Sequence, residues 1–173
     1  MDVFEILTRK GIKKLEAREL TAQAILDGDF APESFDERRT ELNEKQIATL
    51  LEAIEMITCK KLKHLDSDYL RLAVPYIGCE NNSCKREASR IVGNMAADYP
   101  DELADAIPLL IENTKNDGTV VRWGSAYALS RIILLDCFRD SELLETVKSI
   151  CKAEQENGVK NQYVKALRRI KVI

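Results

Sequence analysis

In 173 residues the sequence holds one histidine, His64, and one tryptophan, Trp123. A single imidazole cannot build a histidine-rich metal centre, and neither HExxH nor a Cys/His cluster of zinc spacing occurs. No GxSxG, Walker loop or GxGxxG is present, so there is no nucleophile elbow and no glycine cradle for phosphates. The five cysteines, Cys59, Cys79, Cys84, Cys137 and Cys151, are odd in number and contain no CxxC pair. They read as reduced thiols of a cytoplasmic protein rather than a disulfide framework. No stretch approaches the roughly 18 apolar residues of a membrane span. Asp2 and Glu5 occupy the place of a basic leader region, and no apolar segment follows them. Seven glycines, four prolines and 6% aromatics leave little for turns and sheets, which favours helices. The expectation is a chain without metal, cofactor or membrane segment, leaning away from catalysis.

What is present is apolar content of 45% with 32% charge, enough for a solid core. The net charge of −3 gives no global pull toward nucleic acid. Its distribution is uneven. Residues 158–173 hold five Lys/Arg and no acid, whereas residues 101–157 hold eleven acids against six bases.

A pattern recurs three times, as CKREASRIVGNM from Cys84, VRWGSAYALSRI from Val121 and VKNQYVKALRRI from Val159. The starts lie 37 and 38 residues apart. The second position is always basic (Lys85, Arg122, Lys160), and positions 1, 5, 8, 9 and 12 form one apolar helical stripe. Each copy follows another amphipathic stretch, at residues 67–77, 101–115 and 141–154. Asn81-Asn82, Asp117-Gly118 and Asn157-Gly158 mark the turns between them, and Asp101 is placed to cap the second of these stretches. Gly93 and Gly124 lie inside helices, where they permit close packing. The carboxylate pairs Asp98/Asp101 and Glu154/Glu156 read as ordinary solvated charges.

The V-R-x-x-(small)-A-x-A-L-x-x-I pattern after an I-P-L-L helix and an Asp-Gly turn resembles a HEAT repeat. The resemblance implies an all-α, α-α superhelix with three helix pairs at about 66–98, 101–137 and 141–173. In that family a turn Asp and the second-helix Arg form a polar ladder between repeats. Here this implies Asp117 with Arg122, with Lys85 and Lys160 as weaker rungs. The second helices of such solenoids line the concave surface. That places Arg86, Arg90, Asn94, Trp123, Tyr127, Arg131, Lys165, Arg168 and Arg169 on a basic, aromatic-bearing face without an acid. Arg and Trp are enriched at binding hot spots, and the implied partner is a protein or acidic peptide segment. The alternative reading is a solvated face with no ligand. A second functional class is nucleic-acid binding, since some HEAT-like proteins are alkylpurine DNA glycosylases. They use Trp and a carboxylate on successive turns, but here Tyr127 follows Trp123.

Residues 1–65 read as an N-terminal helical cap continuous with the repeats. Helices are expected over 2–9, 13–27 and 44–59, with Asn43 capping the last. Residues 27–41 look like a loop anchored by Phe30 and Phe35. Helix 13–27 could serve as first helix of a decayed fourth unit whose second is 44–59. Lys60, Lys61 and Lys63 suit a helix C-terminus. A homodimer seam along Leu50–Ile57 or the last helix is a third functional class.

Overall fold

The computed structural model describes residues 1–172; Ile173, the last residue of the expected third pair, lies outside them. Among the described residues there are ten α-helices and no strand. They are α1 (Val3–Thr8), α2 (Lys14–Asp27), α3 (Pro32–Arg38), α4 (Glu44–Lys60), α5 (Ser67–Ile77), α6 (Asn82–Met95), α7 (Ala106–Asn113), α8 (Thr119–Ile132), α9 (Glu142–Ala153) and α10 (Asn157–Arg169). One contiguous apolar cluster runs from Val3 to Leu167.

The helices form two layers. Helices α2, α4, α6, α8 and α10 pack side by side in that order. Interatomic contacts give their direction. Lys14, at the start of α2, reaches Glu52 of α4 at 2.6 Å, while Lys63, just past α4, donates to the last carbonyls of α2 at Ile25 and Leu26. Cys84 at the start of α6 lies at the Glu44 carbonyl that opens α4, and Asn94 near its end meets Thr58. These neighbours are therefore parallel, as stacked second helices must be. Lys63 fills the C-terminal role expected of this lysine group, but for α2 rather than for its own helix.

Sequence signals explain most helix starts. Asn43 and Gln46 form a reciprocal capping box at 3.1 and 2.8 Å, and Gln46 also donates to the Leu7 carbonyl of α1. Asp66 caps α5 and Asn81 caps α6. Three expectations need correction. Residues 32–38 are a helix rather than part of a loop. Pro32 supplies a favourable first position, and Phe35 packs between Phe4 and Tyr76 at ring separations of 6.4 and 6.2 Å. This places α3 against α1 and α5, just before α4 in the chain. Helix α2 belongs beside α4 in the same layer, so it is not the first helix of α4's unit.

The third correction concerns residues 101–115, where only Ala106–Asn113 is α-helical and Asp101 lies in a 3₁₀ turn. Pro108 lacks a donor and is best accommodated in a first turn, where it stands as the third residue of α7.

The closest approach is between α6 and α8. A Cβ on Gly93 would lie 2.9 Å from Ala128 Cα and 3.0 Å from Tyr127 Cδ1, and one on Gly124 would lie 3.2 Å from Arg86 Cα. Gly93→Ala is therefore expected to destabilise by about 1–2 kcal/mol despite its gain in helix propensity of about 1 kcal/mol. Gly158→Ala, where the nearest atom is 4.0 Å away, serves as control and is expected to be neutral or slightly stabilising. Urea unfolding of both variants measures the difference.

Candidate binding face

On the second-layer helices the repeat register brings five of the nine face residues together. Trp123 and Tyr127 stack along α8 with ring centroids 5.4 Å apart. The Arg90 guanidinium of α6 lies 5.8 and 5.7 Å from these two rings, and Arg131 lies over the outer side of Tyr127 at 3.4 Å. The Tyr127 hydroxyl donates to Asn94 Oδ1, and Asn94 in turn donates to Thr58 at 3.1 Å. Cation and ring thus alternate, an attraction that gains strength when partly desolvated. Burial raises the Tyr127 phenol above its ordinary value, so it remains a neutral donor.

The face is not free of acid. Glu55 on α4 and Glu87 on α6 are buried beneath it, and Glu52 flanks them. Arg90 pairs with Glu55 at 2.7 Å and Glu87 at 3.3 Å, and Arg86 pairs with Glu87 at 2.6 Å. Burial raises the Glu55 carboxyl, and the nearby Glu87 charge adds to this, against the opposing pull of Arg90. The sequence comparison missed these acids for two reasons. Glu87 is at the fourth repeat position, one residue beside the face rows, and Glu52 and Glu55 lie on a helix outside the three aligned units. The spacing of Glu87 and Arg90 by three residues was a signal that could have found the first.

Arg86 and Arg90 are therefore neutralised. Among the described residues Arg131, Lys165, Arg168 and Arg169 have no carboxylate partner. Arg131 makes a hydrogen bond of 3.2 Å to the Tyr127 carbonyl. Lys165, Arg168 and Arg169 are exposed along α10, away from the stacked cluster. Free positive charge thus begins at α8 and increases toward α10. The Leu50–Ile57 stretch offers no dimer seam, because Leu50, Leu51, Ile54 and Ile57 are fully buried in the chain's own core.

The polar ladder also differs from the expected one. Arg122 meets the Asp117 backbone carbonyl at 3.1 Å, not its carboxylate, and pairs with Glu154 at 3.1 Å. Lys85 reaches Asn113 at 3.3 Å. Both bases reach forward to the end of the next unit's first helix, while Lys160 turns to the Glu154 carbonyl at 3.2 Å. Glu154 is thus a buried structural anion rather than a solvated charge. His64 is exposed and lies 3.1 Å from the Tyr99 hydroxyl. Among the described residues no three His, Cys, Asp or Glu side chains are grouped to hold a metal ion, and no helix is long and apolar enough to cross a membrane.

Burial raises the Glu154 carboxyl, but hydrogen bonds from the Glu156 amide and Arg122 outweigh it and hold the group below its ordinary value of 4.5. A depressed carboxyl contributes stability that is present above its unfolded value and lost as pH falls through the folded one. Arg122→Ala is expected to cost about 2 kcal/mol at neutral pH. It is also expected to flatten the acid-side loss of stability below pH 4.5. Urea midpoints across that range test both.

Residues 82–132, from α6 through α8, match the family model of the HEAT-like repeat. Two crystal structures of engineered proteins share the fold. One superposes with a TM-score of 0.70 at 16% identity, over 97% of this chain and 78% of that one. The other has a TM-score of 0.69 at 21% identity, over 98% of this chain and 79% of that one. No curated protein matches the sequence. With the matched segment forming the closest-packed part of the second layer, the chain is an all-α helical-repeat protein with a HEAT-like repeat at residues 82–132.

Proposed function

We propose that the chain is a non-catalytic scaffold or adaptor that binds an acidic protein segment on the face formed by Trp123, Tyr127 and Arg131. The observation that carries this reading is Arg131. Its guanidinium is held 3.4 Å over the Tyr127 ring and has no carboxylate partner among the described residues. Stacking orients the fork before a ligand arrives, which reduces the ordering cost of binding, and the fork suits a carboxylate. Five free thiols fit a reducing, cytoplasmic setting.

Nucleic-acid binding draws less support. Arg86 and Arg90, which would follow a phosphate backbone, are neutralised by Glu52, Glu55 and Glu87. Those same carboxylates are engaged with arginines and Asn94, which leaves none free beside Trp123 for base excision.

As the only tryptophan, Trp123 reports on this face directly. Glu/Asp-rich peptides are expected to shift its emission saturably. Arg131→Glu is expected to weaken binding at least tenfold, about 1.4 kcal/mol, with helicity by circular dichroism unchanged. Trp123→Ala, followed by anisotropy of labelled peptide, is expected to do the same. Equal affinity in a folded Arg131→Glu variant would overturn the reading. So would binding of duplex DNA alone with the steep salt loss of phosphate contacts.

A further inference from the structure

The layer α2–α4–α6–α8–α10 has two open flanks, and they carry opposite charge. Exposure along each helix reveals the flanks. In the interior helices no middle-turn residue is exposed, from Gln46 to Thr58 in α4, from Ser83 to Met95 in α6 and from Val121 to Ile132 in α8. A parallel neighbour on each side covers them. Helices α2 and α10 have such a neighbour on one side only, and each keeps a full-length exposed row opposite its buried stripe.

On α2 that row is Glu16, Glu19, Gln23 and Asp27, turned away from buried Ala17, Thr21, Ala24 and Ile25. On α10 it is Asn161, Lys165 and Arg168, with Arg169 beside it, turned away from buried Val159, Tyr163, Ala166 and Leu167. Glu16, Glu19, Lys165 and Arg168 have no ion-pair partner among the described residues. Lys14, at the start of α2, points to Glu52 of α4. Residues 157–172 contain no acid. One helix flank is thus acidic and the other basic, on helices of similar length, about 20 Å each at 1.5 Å per residue.

We propose that these flanks dock head to tail, with α2 of one copy lying against α10 of a second and occupying the place that a further second-layer helix would take. The occupant is a second copy of this chain because its own opposite flank carries the complementary row in the same setting. The contact is heterologous, so it propagates into chains of copies instead of closing as a two-fold dimer. It is polar and relies on opposite charges, so it is weak and sensitive to salt.

Sedimentation velocity over a concentration series in low (about 0.05 M) and high (about 0.5 M) salt tests this. In low salt the weight-average sedimentation coefficient is expected to rise with concentration beyond the dimer, and in high salt the rise is expected to vanish. The paired variants Glu16→Lys/Glu19→Lys and Lys165→Glu/Arg168→Glu are each expected to stay monomeric with native helicity. Mixed together, they regain complementary flanks and are expected to assemble. Arg131→Glu, which alters the proposed peptide face alone, is expected to assemble like the parent, so the two proposals fail separately. A monomeric parent at every concentration in low salt would sink the idea. Assembly of either charge-reversed pair by itself would do so too, as would failure of the mixture to assemble.

Discussion

The close approach of α6 and α8 is the constraint on which the second layer depends. Interaxial distance between packed helices is set by the side chains at their crossing. Here the crossing is made of Gly93, Gly124, Ser89 and Ala128, so backbone meets backbone with little between. The cluster of aromatic rings and arginines follows from the same approach. With no Cβ on Gly93, the Tyr127 ring lies against α6, and its hydroxyl can reach Asn94. Arg90, Trp123 and Arg131 are then arranged around that ring. A tighter core and an organised surface cluster are two results of one missing side chain.

Between α4 and α6 the constraint is electrostatic. Taking Glu55 and Glu87 out of water is costly unless each is paired and hydrogen-bonded. Arg86, Arg90 and Asn94 supply those partners from the same helix face. Such networks add little net stability over apolar packing, but a shifted register would leave a buried charge uncompensated. The arginines that look free in a one-helix reading are therefore internal components of the layer. On this face the cations without a carboxylate partner among the described residues are Arg131 of α8 and Lys165, Arg168 and Arg169 of α10.

The fold was legible because a period of 37–38 residues and a repeated apolar stripe are local signals, readable along one line of text. The packing role of Gly93 and Gly124 was read from their place inside helices, although neither falls on the stripe itself. What escaped was whatever depends on the neighbour in space. Helix α3 was hidden in a polar segment, because its formation rests on Phe35 reaching Phe4 and Tyr76. The layer of α2 could not be read, because its apolar face is irregular and only parallel contacts with α4 reveal it. At the site, the rows Arg86/Trp123/Asn161 and Arg90/Tyr127/Lys165 were visible by register. Their charge state was not, because it depends on Glu55 from another unit. Glu154 was misread for the same reason, since its partner Arg122 lies 32 residues away.

The ladder shows that the architecture has a direction. Lys85 and Arg122 each reach forward to the last turn of the next unit's first helix, at Asn113 and Glu154. Asn113 also holds the preceding unit through the Ile77 carbonyl at 2.7 Å, so that rung ties two units at once. Lys160 holds the same register on α10 but turns to the Glu154 carbonyl within its own unit. Along α10 the exposed side chains are Asn157, Asn161, Lys165, Arg168 and Arg169, all polar or cationic. Polar flanks of this kind keep a repeat stack soluble. With acid at one flank and base at the other, the flanks also retain the direction that the ladder imposes inside the chain.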